Sequence, residues 1–129
     1  MADADSVRKA LRKKKPEDPV PDYLSTGSTL LNLELSGRPD GGYIKGKYYL
    51  FVGDSKAGKS FAVLTTMAEA GISPGYKDHR LIYDNVEDGA LMDLRRYFGH
   101  GVADRIEQRV SDSVEDFYYT VHDLIEEGK

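Results

Sequence analysis

Residues 53–60, Gly53-Asp54-Ser55-Lys56-Ala57-Gly58-Lys59-Ser60, set two glycines, an ammonium and a hydroxyl at the spacing G-x-x-x-x-G-K-S, which suits capture of a nucleoside triphosphate. A triphosphate is small and highly charged, so it needs several donors converging on one point. The backbone N–H groups of roughly Lys56 to Ser60 supply them, because Gly53 and Gly58 omit the Cβ that would block close approach. Lys59 adds a mobile positive charge for the β- and γ-phosphates. Ser60 adds a hydroxyl oxygen for Mg²⁺, a hard cation that prefers oxygen ligands. A plain glycine turn would require neither Lys59 nor Ser60.

Hydrolysis would need a further group to orient and deprotonate a water, and a carboxylate at the end of a neighbouring strand is the usual means. Asp84, Glu87 and Asp88 follow a short apolar run. Glu87 is favoured over Asp84 as the base, and Asp88, before Gly89, suits a helix cap. His79, His100 and His122 stand apart and lack metal-ligand spacing. Tyr43, Tyr48, Tyr49, Tyr118 and Tyr119 have faces that stack on bases, but their alternation with apolar residues assigns them to core and strands.

A loop of this type needs a strand before it and a helix after it. Lys47–Val52, apolar and aromatic, is expected to be a buried strand, and the run Phe61–Ala70, free of Gly and Pro, a helix beginning near Lys59. Upstream, Ser28 or Thr29 caps a short leucine-bearing helix, and residues 36–42 are dense in turn residues. Downstream the pattern predicts a strand over Arg80–Asp84 and a helix over Gly89–Phe98, stopped by Gly99 and Gly101. A weak strand over Ile106–Val110 follows. Val114, Phe117, Tyr118, Val121, Leu124 and Ile125 mark one face of a last helix over Ser113–Glu127. The order β–loop–α–β–α–β–α predicts an α/β fold with a mainly parallel sheet flanked by helices.

The chain of 129 residues holds one domain (residues 22–129) behind a basic arm and Pro-rich linker (residues 1–21). Arg8, Lys9, Arg12, Lys13, Lys14 and Lys15 crowd that arm, while residues 104–127 are mostly acidic and the net charge is −4. Such an arm suits nucleic acid phosphates, or else a solvated terminal helix. Absent cysteine excludes disulfides and thiolate metal sites. No run approaches the ~18 apolar residues of a membrane span, and the expectation is a soluble, cytoplasmic protein.

Ser25-Thr26-Gly27-Ser28, Leu30-Leu31-Asn32, Gly37 to Gly42, Gly46 and the phosphate loop together resemble the front of the RecA/RadA recombinase core. The likeness is to bacteriophage-encoded RecA-like P-loop ATPases, and it runs over about residues 22–129 through Leu81-Ile82-Tyr83-Asp84-Asn85-Val86-Glu87 and Leu94 to Gly99. It implies a partial RecA-like core that binds ATP and Mg²⁺ through residues 53–60, with Lys59 catalytic and Glu87 as the water-activating base. This chain reads Asp84-Asn85-Val86-Glu87 where family members commonly have Asp-x-Glu. The family's Walker B strand and DNA-binding loops fall beyond the matched stretch. Two of its later strands lie between the phosphate-loop strand and the strand before Glu87, so unpaired backbone is expected on both sides of that gap. The resemblance therefore implies a part in single-stranded DNA handling or DNA recombination and repair, in a bacterial host cell, with weak hydrolysis unless self-assembly or a partner chain completes the site. Alternatives are a non-enzymatic interaction module retaining the loop, a replicative-helicase-like NTPase and a P-loop kinase.

Overall fold

The computed structural model describes residues 22–86 and 92–128. The expected basic helix, the proline linker, Glu87, Asp88 and the first residues of the helix expected from Gly89 lie outside the described residues.

The described chain is a small α/β protein with two short sheets. β1 (Tyr23–Leu24) pairs antiparallel with β2 (Tyr43–Ile44), Tyr23 opposite Ile44. Between them runs α1 (Thr29–Ser36), whose N-cap Ser28 accepts from the Leu31 N–H and whose end is closed by Gly37 in the left-handed region. α1 buries Asn32, not its leucines: Leu30 is 76 % exposed. The Asn32 amide accepts from the Thr26 N–H (2.9 Å) and donates to Pro39 O (3.0 Å) and Ser25 Oγ (3.1 Å). One side chain thus ties both turns flanking α1 to the helix. Gly42 passes so close that a Cβ there would lie 2.9 Å from Asn32 Oδ1.

α2 (Lys59–Ile72) and a 3₁₀ turn (Pro74–Tyr76) lead to β3 (Leu81–Asp84). α3 (Leu94–Phe98) and α4 (His100–Ala103) then cross to β4 (Ile106–Arg109), which runs parallel to β3 with Leu81 opposite Ile106 and Asp84 opposite Arg109. Among the described residues the mainly parallel sheet is therefore present only as this pair. The core lies between α2 and the pair: Leu64 and Ala70 meet Leu81, Ile106, Leu94 and Val102. Each large apolar side chain buried there stabilises by about 1.5–3 kcal/mol.

The sequence did not mark Arg105 as important, yet its guanidinium gathers this region. It donates to Gly71 O (2.6 Å) and Tyr76 O (2.7 Å), and at longer range to the Ala70, Lys77 and His79 carbonyls. A cation at the end of α2 also complements the helix dipole.

Several sequence expectations change. Lys47–Val52 is not a strand, and it is not buried: Tyr48, Leu50 and Val52 are 102, 87 and 86 % exposed. No neighbouring strand among the described residues takes up its N–H and C=O groups, so the segment stays outside any ladder. Its alternate side chains still turn inward, Tyr49 and Phe51 packing edge-on against the buried Tyr43. The helix expected from Gly89 begins at Leu94, because Asp93 caps it by accepting from the Arg96 N–H. Gly99 breaks the chain there as expected, but Gly101 sits inside α4.

The final helix, α5 (Val114–Glu127), forms as its pattern predicts, with Ser113 accepting from the Asp116 N–H and Glu115 and Asp116 in the first turn. None of its residues is buried. Tyr118 and Tyr119 stay exposed, contrary to the core role read for them, as does Tyr48.

Candidate functional site

The octapeptide 53–60 forms an exposed loop ending in α2. The Ala57 N–H closes a turn on Asp54 O (3.2 Å), and two left-handed residues follow in alternation, Lys56 (φ 65°) and Gly58 (φ 86°). Alternation of this kind turns successive backbone N–H groups toward one side, as in anion-binding nests. Gly58 serves as N-cap of α2 without a side-chain cap. The first intrahelical bond, Ala62 N–H to Gly58 O (3.0 Å), leaves the N–H groups of Lys59, Ser60 and Phe61 directed out of the start of the helix. The positive end of the helix dipole lies at the same point.

Lys59 folds back across the loop. Its Nζ donates to Gly53 O and to Asp54 O, each at 2.8 Å. An ammonium carries three donors, and two are engaged on the loop's own carbonyls. Charge, helix start and loop amides are thereby brought together by Gly53, Asp54, Gly58 and Lys59. Ser55, Lys56 and Ala57 form the exposed crest, and Ser60 is half-buried in the first turn of α2. Phe61 stacks on Phe98 with centroids 6.5 Å apart, fixing the start of α2 against the end of α3.

The carboxylates stand differently. Glu87 lies outside the described residues. Asp84, at the C-terminal end of β3, accepts from both the backbone N–H (3.0 Å) and the hydroxyl of Ser111. Those bonds join the ends of β3 and β4 and occupy both carboxylate oxygens, so Asp84 is held as a structural tie. It borders a cleft of about 510 Å³ shared with Val86, Ser111, Asp112 and Phe117. Ser111 was not singled out in the sequence; a serine two residues past a strand has no signal of its own.

Beneath the extended segment 47–52 lies an apolar cavity of about 370 Å³, walled by Leu24, Tyr43, Tyr49, Phe51, Met67 and Tyr76. The hydroxyls of Tyr43 and Tyr76 are buried without a hydrogen-bond partner. Burial pushes both phenols above their ordinary range, and for Tyr43 the nearby Thr66 hydroxyl opposes the shift in part. Arg80 and Glu107 form an ion pair at 2.7 Å, and the Arg80 guanidinium holds the Glu107 carboxyl below the usual carboxylate range.

Among the described residues no group of three or more His, Cys, Asp or Glu is placed to hold a metal ion, and no helix is long and apolar enough to cross a membrane. Comparison with protein-family models, with curated proteins and with solved structures gives no match to this chain.

Proposed function

We propose that the chain binds a nucleoside triphosphate, ATP with Mg²⁺, on the loop 53–60, and that it does so as a RecA-like P-loop protein. The observation that carries this reading is the fold-back of Lys59 onto Gly53 O and Asp54 O, above a left-handed Gly58 that opens α2. That arrangement holds a cation over a set of outward N–H groups, and no acidic side chain among the described residues forms an ion pair with it. The residues fit the ligand: the loop amides and the start of α2 take phosphate oxygens, Lys59 has a donor remaining for them, and Ser60 supplies a hydroxyl for the metal. Bound Mg²⁺ would offset charge between phosphate oxygens.

Binding without efficient hydrolysis is the activity best supported. Asp84, the described carboxylate at the end of β3, accepts one bond on each oxygen from Ser111, which fixes it as a tie between the ends of β3 and β4. The relation to DNA recombination and single-stranded DNA rests on the sequence resemblance and on the basic arm.

Isothermal titration of the full chain with MgATP, beside Lys59→Ala, tests the reading. Binding by the wild type, weakened at least about tenfold in Lys59→Ala, is expected, since a charge-assisted bond contributes about 1.5–3 kcal/mol. Equal affinities, or no heat from the wild type, would overturn it. Rapid multiple turnover by the isolated chain would overturn the claim about hydrolysis.

A further inference from the structure

Lys56 is held in a conformation that its own side chain disfavours. Its φ of 65° makes it the single non-glycine residue in the left-handed region among the described residues, and a Cβ makes that region costly. It occupies the third position of the turn Asp54-Ser55-Lys56-Ala57, which the Ala57 N–H closes on Asp54 O (3.2 Å). Glycine or asparagine is the usual residue at that position once φ is positive. Backbone strain of this kind gathers at ligand clamps, so a strained lysine on the crest of the loop points to a use for its side chain.

That side chain is exposed, and no carboxylate among the described residues forms an ion pair with it. Asp54 O, on which its turn closes, also accepts from Lys59 Nζ (2.8 Å). One turn therefore carries the first ammonium and anchors the second. Charge shows what a second cation adds. Lys59 is offset by Asp54 in the same loop, and the start of α2 contributes roughly half a positive charge. Without Lys56 the loop thus presents only about half a positive charge, and with it about one and a half. At neutral pH MgATP carries about −2 and MgADP about −1, so the shortfall without Lys56 is far larger for the triphosphate.

We infer that the Lys56 side chain sets the preference of the loop 53–60 for a nucleoside triphosphate over a diphosphate, as a second cation beside Lys59 on the phosphate chain. This rests on the reading of the loop as a nucleotide site. The attraction of one added cation scales with the charge of the ligand, so it is about twice as strong for MgATP as for MgADP. An ammonium acts here as a point charge on a flexible stem, and a guanidinium in its place supplies the same charge.

Titration calorimetry of the full chain with MgATP and with MgADP tests this, on the wild type, Lys56→Gly, Lys56→Asn and Lys56→Arg. Glycine removes the charge together with the strain. Asparagine removes the charge and still tolerates the left-handed backbone. The wild type should bind MgATP more tightly than MgADP. Lys56→Gly and Lys56→Asn should each weaken MgATP at least about tenfold, as for loss of a charge-assisted bond, and MgADP only about threefold. The ratio of the two affinities then falls about threefold in both, and Lys56→Arg keeps it. Raising the salt should erode the wild-type ratio more than the ratio left in Lys56→Gly. Equal affinities of the wild type for the two nucleotides would overturn the inference, as would an unchanged ratio in Lys56→Gly and Lys56→Asn. Tighter binding of both nucleotides by Lys56→Gly would also overturn it, since Lys56 would then matter through the shape of the loop alone. An unchanged ratio removes this inference and leaves the nucleotide site standing, whereas a wild type that binds neither nucleotide removes both.

Discussion

Gly58→Ala separates the shape of the loop from its charge. Gly58 has φ 86°, and a Cβ there would meet nothing within 4 Å, so the substitution introduces backbone strain without a clash. Left-handed geometry costs a residue with a Cβ about 1–2 kcal/mol. The backbone escapes that strain by moving to negative φ, which turns the Lys59 N–H away from the loop. A bias of 1–2 kcal/mol is a factor of roughly 5–30, and the apparent affinity falls by the fraction of molecules still competent. MgATP should therefore bind about 5- to 30-fold more weakly. Gly37→Ala is the matched control: φ 71°, open space around it, and a position at the C-terminal end of α1. Both variants should lower Tm by about 4 °C, but only Gly58→Ala should lose affinity in titration calorimetry. Wild-type affinity in Gly58→Ala, or an equal loss in Gly37→Ala, would refute the link between the left-handed residue and binding.

Asn32→Leu should destabilise the chain by about 2–4 kcal/mol in urea unfolding, since the Thr26 N–H and the Pro39 carbonyl lose their partner. Arg105→Lys should speed amide exchange in the 3₁₀ turn, because a single ammonium cannot span the Gly71 and Tyr76 carbonyls together. Leu50→Lys should change stability by less than about 0.5 kcal/mol, as befits an 87 % exposed side chain; a large loss would restore the buried strand. The Arg80–Glu107 pair predicts a pH dependence. Glu107 is lowered from an ordinary 4.5, so its contribution is complete above that value and disappears as pH falls through the lower folded one. Stability curves of wild type and Arg80→Gln should therefore differ at neutral pH and converge in acid.

The elements legible in the sequence are those specified locally. α2 follows from a run free of Gly and Pro after the loop, α5 from an apolar face at helical spacing, and β3 from a short apolar run, while β4 gave only a weak signal. The loop 53–60 was legible because its chemistry lies in eight consecutive residues. Lys47–Val52 was misread because a strand is a property of two segments. Its composition favours extension, but a ladder requires a neighbour that composition does not reveal. Asn32, Arg105 and the Asp84–Ser111 tie were not legible for a related reason: each acts on backbone groups up to 35 residues away. An asparagine in a leucine-bearing helix reads as a polar interruption until its three bonds are seen.

The exposed stretch Tyr48-Tyr49-Leu50-Phe51-Val52 has a consequence for the protein in concentrated solution. It is uncharged, free of proline and rich in residues that favour cross-β stacking. Its open backbone is a template for addition of an identical segment from another molecule, and growth of that kind accelerates steeply with concentration. Lys45 and Lys47 before it, and Asp54 and Lys56 after it, act as gatekeepers whose repulsion opposes in-register stacking. Shelf life at high concentration should thus depend on those four flanking charges more than on the stability of the core.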